Sequence, residues 1–329
     1  MRLLHPLTVL TILLPLPTTH ALKIACVQQW IEHTPLPHAA ANFYTPQNPT
    51  DPAVTLITGG VANLASDSTI DLAANAETQG LKNYVTHRNY RLIGILVEVT
   101  YRLVARKASG IATLSDLRGK RVGTIAGTSA EVFVHQLLGT VGLTAGKDYQ
   151  TVGGNIYTCM RAPCAAGSLP AELVAGKIDA FGVWETAVEL GVQALLHEQG
   201  GKGAVTFKNA SVYREVYSLY STEEKLKDPV VRGRIVRFVK ALNQSFGVFK
   251  EAGQGVVDFV AEKVGVDEPV LRNVWEDHVW GPGSLGKDLL DYLEREDQYL
   301  AKVDNRKALT RAELEKFVDA SVYEEAMRG

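Results

Sequence analysis

The stretch Asp116-Leu-Arg-Gly-Lys-Arg-Val-Gly-Thr-Ile-Ala-Gly-Thr-Ser129 decides the reading of this chain. Its order predicts a lead-in turn, a short buried strand over 122–125, a glycine turn and a helix start. Thr128 and Ser129 are good N-cap types, and Thr128-Ser-Ala-Glu131 fits a capping box in which Glu131 returns a hydrogen bond to the cap. Phe133, Leu137 and Val141, with Val134 and Leu138, continue one apolar helical face, and Gly142 is placed to stop it. A glycine followed by hydroxyl residues at a helix start offers N–H groups at the positive end of the helix dipole. Gly127, Thr128 and Ser129 therefore form a candidate anion site. The same pattern also fits an ordinary capped turn.

Working outward, short apolar strand patterns alternate with helical ones. Strands are expected over 22–27, 54–57, 70–73, 92–99 and 101–105, with helical patterns at 35–44 and from 61. This alternation predicts an α/β fold with parallel sheets and helices on both faces. From Pro229 the pattern is helical throughout, over 231–249, 256–264, 268–275, 285–303 and 311–326, with no comparable strand. The two halves also echo each other. Ile70-Asp71 and, five residues on, Glu77-Thr78 are matched by Ile178-Asp179 and Glu185-Thr186 at the same spacing.

With 329 residues, 46% hydrophobic and 21% charged, the chain has globular composition and room for two domains. A net charge of −2 and the lack of a long basic run give no support to nucleic-acid binding. At the N-terminus, Arg2 precedes an apolar run over 7–16, and Thr19-His-Ala21 ends in a small residue. Residues 1–21 read as a secretory signal peptide, so export to the periplasm or the extracellular space is expected. The run is about half the length a membrane span needs, and Pro6, Pro15 and Pro17 interrupt it, so stable membrane insertion is not expected. Cys159 and Cys164 favour a local disulfide in an exported chain. No metal-ligand spacing and no cofactor fingerprint is found. Cys26 reads as a buried strand position.

Asp116-Leu-Arg-Gly-Lys-Arg-Val-Gly, Gly127-Thr-Ser129, Leu173-Val-Ala-Gly-Lys-Ile-Asp-Ala180 and Val183-Trp-Glu185, in this order, resemble the nitrate/taurine/sulfonate-binding branch of the type II periplasmic binding proteins. That branch also contains thiamine-pyrimidine synthases and pyrimidine-binding relatives. The resemblance implies two lobes closing on a small molecule about a hinge. Lobe I is expected at 22–104 together with the C-terminal helices 213–329, and lobe II at 105–212. The hinge is expected near 101–105 and 213–221. It implies a monomeric solute-binding protein for an anionic or zwitterionic molecule, sulfonate-like, taurine-like or pyrimidine-like, serving an ABC transporter permease if the host is bacterial. The alternatives are a pyrimidine-synthase-like enzyme, although the run of consecutive cysteines typical of those enzymes is absent, and a secreted interaction protein.

Candidate ligand contacts follow from the strand ends. In lobe II, Trp184 reads either as a ring against the ligand or as a packing anchor. Glu185 reads as an acceptor for an ammonium group, a helix cap or an inter-lobe ion-pair partner. Gln28, Gln29, Trp30, Asn75 and Thr78 are the lobe I counterparts, and Asn155 follows the strand before the cysteine insert. Tyr213 and Tyr217 lie near the second crossing, and His135 is expected to face solvent.

Overall fold

The computed structural model describes residues 21–46, 53–155, 159, 161–198 and 203–328. The leader expected at 1–21 lies outside these residues except for Ala21. The chain starts with β1 (Lys23–Cys26) and a 3-10 turn (Ile31–His33). It continues through α1 (Pro35–Asn42), β2 (Thr55–Thr58), α2 (Asn63–Ser66), β3 (Leu72–Ala76), α3 (Glu77–Thr86) and β4 (Tyr90–Val99). It then crosses into β5 (Arg102–Arg106), β6 (Arg121–Thr124), α4 (Ser129–Gly139), β7 (Gln150–Gly153), α5 (Leu169–Val174), β8 (Ala180–Val183), α6 (Ala187–Glu198) and β9 (Ala204–Lys208). It returns through β10 (Glu215–Thr222) to α7 (Glu223–Lys227), α8 (Pro229–Glu251), α9 (Gln254–Val264) and α10 (Glu268–Trp275). The last elements are β11 (His278–Trp280), α11 (Lys287–Val303), α12 (Arg311–Phe317) and α13 (Ser321–Met327).

Two sheets result, ordered β11-β4-β10-β3-β1-β2 and β7-β6-β8-β5-β9. The sequence predicted parallel sheets, and each sheet is instead mixed. β1 pairs in parallel with β2 and β3, and β6 with β7 and β8. β10 runs antiparallel between β3 and β4, and β5 antiparallel between β8 and β9. The reversal follows from connectivity. β5 and β10 each arrive from the other lobe, so each enters its sheet at the cleft end, where the parallel strands finish. β5 and β10 are thus sheet strands over most of the segments read as hinge. The changes of sheet fall in the short stretches 100–101 and 209–214.

The sequence echo corresponds to equivalent structure in both lobes. Asp71 precedes β3 and accepts from the Lys23 N–H at 3.1 Å, while Asp179 precedes β8 and accepts from the Arg121 N–H at 2.9 Å. Each acid so anchors the first N–H of the neighbouring strand. Glu77 follows β3 and Glu185 follows β8, both buried.

α8, α12 and α13 pack against the first sheet, α8 also against α1, while α11 packs against α3 and α10 reaches α6 beside the second sheet. In α8, Ile235, Phe238, Val239, Leu242, Phe246 and Phe249 recur at helical spacing and are buried against α1 and α13. Asp228 caps this helix by accepting from Val230 and Val231 N–H groups at 2.8 and 3.1 Å, with Pro229 at the first helical position. Two expectations for this region are corrected. β11 is a strand inside the tail, paired with β4 at the sheet edge. The helix expected over 311–326 is broken into α12 and α13, because Val318 bridges Leu92 and Asp319 N–H donates to the Leu92 carbonyl. Val141, read as part of the α4 face, lies past the end of that helix and is exposed. No helix among the described residues is long and apolar enough to cross a membrane.

Candidate functional site

The carboxyl ends of the parallel strands of both sheets meet at a cavity of about 200 Å³. This is where open α/β sheets place their ligands. After β1 come Trp30 and Glu32; β3 and α3 supply Asn75, Ala76 and Gln79. The second lobe supplies Gly127, Thr128 and Ser129 after β6, and Trp184 after β8. Tyr101 on the first crossing and Glu215 and Tyr217 on β10 complete the lining. Trp30 and Trp184, one from each lobe, meet with ring centroids 5.3 Å apart.

Gly127 turns the chain from β6 into α4 with a φ of 74°, a conformation that favours glycine. Thr128 caps α4 as expected, its hydroxyl accepting from Ala130 N–H at 3.2 Å. The reciprocal bond of the expected capping box is displaced by one residue. Glu131 accepts from Gly127 N–H at 2.9 Å rather than from the cap, because the left-handed turn brings that N–H to the carboxylate. The Gly127 carbonyl accepts from Gln79 Nε2 at 3.0 Å and Lys82 Nζ at 3.1 Å, a clasp from α3 to the other lobe. The Thr128 hydroxyl donates to the Ile125 carbonyl at 2.7 Å. The Gly127 N–H and carbonyl and the Thr128 hydroxyl are therefore engaged by the protein.

Glu215 is the polar centre of the cavity. Its Oε1 accepts from the Tyr101 hydroxyl at 2.6 Å and from the Ser129 hydroxyl at 3.2 Å. Its Oε2 is buried with no partner, as are Glu32 Oε1 and Trp184 Nε1. Burial pushes the Glu32 carboxyl up to about 7. Burial, with the nearby Glu32 and Glu77, holds Glu215 well above the usual carboxylate range. Both therefore favour the acid form where an exposed glutamate is ionised. Tyr217 is oriented from behind. His33 Nδ1 accepts from Val27 N–H at 2.6 Å, which leaves the ring proton on Nε2 to donate to the Tyr217 hydroxyl oxygen. The Tyr217 O–H is then left to donate elsewhere. Burial pushes His33 down to about 3, consistent with that neutral tautomer.

Of the residues expected from the sequence, Trp30, Asn75, Gly127, Thr128, Ser129 and Trp184 line the cavity, whereas Gln28, Gln29, Thr78, Glu185 and Asn155 do not. Gln29 and Asn155 are exposed, and Thr78 is fully buried. Glu185 is an ion-pair partner, its Oε1 accepting from Arg102 Nε at 2.7 Å and its Oε2 from Glu189 N–H at 3.1 Å. His135, expected to face solvent, is half-buried and bonds the Tyr299 hydroxyl at 2.8 Å. Glu32, Ala76, Gln79, Tyr101 and Glu215 were not picked out from the sequence. The one signal for Glu215 was a charge heading the strand-like run Val-Tyr-Ser-Leu-Tyr. Cys159 and Cys164 form a disulfide with Cα atoms 5.3 Å apart. Cys26 is buried in β1, and burial pushes its thiol up to about 12. Among the described residues no cluster of three or more His, Cys, Asp or Glu could hold a metal ion.

The NMT1/THI5-like family profile matches residues 41–254, more than half of the chain. The chain belongs to the NMT1/THI5-like family. No curated protein matches it significantly. Among solved structures, a putative periplasmic sulfonate-binding protein SsuA of Methylobacillus flagellatus is similar over 95% of each chain, at 14% identity and a TM-score of 0.69. The alkanesulfonate-binding SsuA of Xanthomonas axonopodis, bound to MOPS, matches over 91% of this chain and 98% of its own, at 15% identity and a TM-score of 0.63. The desulfurization enzyme DszB matches over 94% of this chain and 99% of its own, at 15% identity and a TM-score of 0.57. At such identities these likenesses concern the fold. This family member therefore has the two-lobed periplasmic-binding-protein fold with a helical C-terminal region.

Proposed function

We propose that this chain is a monomeric solute-binding protein that holds one small organic molecule in the cavity between its lobes. The observation that carries the reading is the set of three buried polar atoms at that cavity without a protein partner: Glu32 Oε1, Glu215 Oε2 and Trp184 Nε1. An unsatisfied buried polar group costs about 1–3 kcal/mol. A ligand that bonds these atoms removes that cost and touches both lobes at once, so it stabilises the closed arrangement. Export, and delivery to an ABC-type permease in a bacterial host, belong to the same reading.

The chemistry of the lining supports one of the ligand classes that the resemblance implied. Two carboxyl groups in or near the acid form match a ring edge that both donates and accepts. Trp184 Nε1 matches an acceptor, and the Trp and Tyr walls match a flat ring. A sulfonate calls for cationic side chains or free N–H groups. The lining contains no Lys, Arg or His, and the N–H of Gly127, one of the three at the turn, is committed to Glu131. An aminopyrimidine-like molecule is thus favoured over a sulfonate-like or taurine-like one.

Isothermal titration of ligand-free protein with aminopyrimidines, thiamine, taurine, alkanesulfonates and nitrate tests this. We expect selective binding of an aminopyrimidine, weakened in Trp184→Phe. Binding of sulfonates alone would overturn the ligand class. No binding across the panel would count against the solute-binding reading. The rival is an enzyme on the same fold, favoured by two acids able to exchange protons near neutral pH. Mass spectrometry of the bound molecule after incubation separates the two, since a binding protein returns it unchanged.

A further inference from the structure

A second polar notch, of about 340 Å³, lies on α4 seven residues beyond Ser129. Gln136 on α4 and Ser211 on the second crossing face Arg214, Tyr292, Arg295 and Glu296 across it. Glu296 is the unexpected member. It occupies the apolar stripe of α11, with Leu289, Tyr292, Leu293 and Leu300, and is 2% exposed. Acids are rarely so buried unless paired. Its neighbour Asp297, equally buried, is paired, accepting from Arg306 Nη2 at 2.6 Å and Leu309 N–H at 2.6 Å. For Glu296, the Gln136 amide donates to Oε2 at 3.2 Å, and Oε1 is buried with no partner.

Burial and the charge of Glu77 push the Glu296 carboxyl up to about 8. With Oε2 accepting from Gln136, the proton of the acid form sits on Oε1 as a donor. Arg214 is held by Glu98 and by the Tyr292 ring, 5.4 Å from its guanidinium carbon, while Tyr292 donates to the Arg214 carbonyl at 2.6 Å. Arg295, also at the notch, is exposed. Two guanidinium groups, an amide, a hydroxyl and an unpartnered carboxyl oxygen thus converge on one concave patch.

We propose that this notch is a second binding site, for a small oxyanion of the carboxylate or phosphate class, and that its occupancy favours the closed arrangement of the lobes. Guanidinium groups match both anions in shape and charge. The coupling has a physical route in two continuous elements. α4 carries Gln136 at the notch and Ser129 at the cavity, about 10 Å apart along the helix. Arg214 at the notch is followed in the chain by Glu215 at the cavity. An anion bonded to Gln136 or Ser211 on one side and Arg295 on the other ties the lobes together.

The test is titration of the full chain with sodium phosphate and with sodium succinate, against sodium chloride at matched ionic strength. We expect saturable binding of at least one, which identifies the class. It should weaken by about tenfold or more in Arg295→Gln, the loss of one charge-assisted hydrogen bond. It should stay within about threefold of the parent in Glu296→Gln, whose amide keeps a donor at the same place. The titration uses protein free of any cavity ligand, so the binding result does not depend on that ligand. Binding of neither anion, or equal binding by Arg295→Gln, would overturn the site. Small-angle scattering reads the coupling. The radius of gyration should fall on anion addition in the parent and not in Arg295→Gln, and an unchanged radius under proven binding would overturn the coupling.

Discussion

The Tyr101 hydroxyl donates to Glu215 Oε1 at 2.6 Å, joining the first crossing between the lobes to the strand that follows the second. Both residues are buried, and the Ser129 hydroxyl from α4 bonds the same oxygen at 3.2 Å. One carboxyl oxygen thereby binds both inter-lobe connections and the helix that follows the Gly127 turn. Its other oxygen is left for a ligand.

Replacing Tyr101 by Phe removes this bond and leaves a buried carboxyl less satisfied. A loss of about 1–3 kcal/mol is expected. In a protein of this size that lowers the melting temperature by several degrees, readable by differential scanning calorimetry. A variant as stable as the parent would show that Ser129 alone satisfies the acid.

Removing the clasp on Gly127 has a different signature. Gln79 and Lys82 donate to the Gly127 carbonyl from the opposite lobe, at a partly exposed site. The double variant Gln79→Ala, Lys82→Ala should therefore change the melting temperature little while shifting the lobes toward opening. Scattering should report a larger radius of gyration, and the cavity ligand should bind more weakly. An unchanged radius together with unchanged affinity would sink this role.

Trp184→Phe keeps a ring at the cavity and deletes the unpartnered Nε1–H. If that donor meets a ligand acceptor, affinity falls by about tenfold, the worth of one hydrogen bond of about 1.4 kcal/mol. Titration calorimetry on the parent and the variant measures it. Equal affinities would assign Trp184 to packing against Trp30.

The buried acids predict an unusual pH dependence. Burial raises Glu32 and Glu77 to about 7 and Glu296 to about 8, from an ordinary value near 4.5. A carboxyl whose folded value is raised binds its proton more tightly folded than unfolded. Its contribution is therefore complete below about 4.5 and is lost as pH rises through 7 to 8. The melting temperature should fall between about pH 5 and pH 8. The fall should shrink in the double variant Glu32→Gln, Glu296→Gln. A flat profile in the parent would mean that these groups are ionised in the folded protein.

How much of this was legible in the sequence differs from residue to residue. The turn from β6 into α4 was readable because Gly127, the Thr128 cap and the Phe133-to-Leu138 face lie within about three turns of one continuous helical segment. Glu131 was misassigned by one residue because its partner depends on the left-handed turn at Gly127. Glu185 had three readings; the structure gives it a bond to the Glu189 N–H at the start of α6 and an ion pair with Arg102 of its own sheet, and that pair depends on where β5 lies. Gln28, Gln29, Thr78 and Asn155 follow or flank strand ends, and which of those side chains reach the cavity depends on how the two sheets face each other. Glu32, Tyr101 and Glu215 carry no motif, since they come from three separate segments.

By itself the sequence determined the alternation of strands and helices that marks an α/β fold, most of the helical C-terminal region and the paired Asp and Glu positions of the two lobes. These rest on periodicity, capping and short-range hydrogen bonds, which neighbouring residues decide among themselves. Tertiary structure alone decided the mixed direction of the sheets, because a strand arriving from the other lobe enters at the cleft end. It also decided the acidic character of the cavity. A carboxyl group takes its protonation from the water it has lost and the charges around it, and for Glu32 and Glu215 both were set by residues distant in the chain.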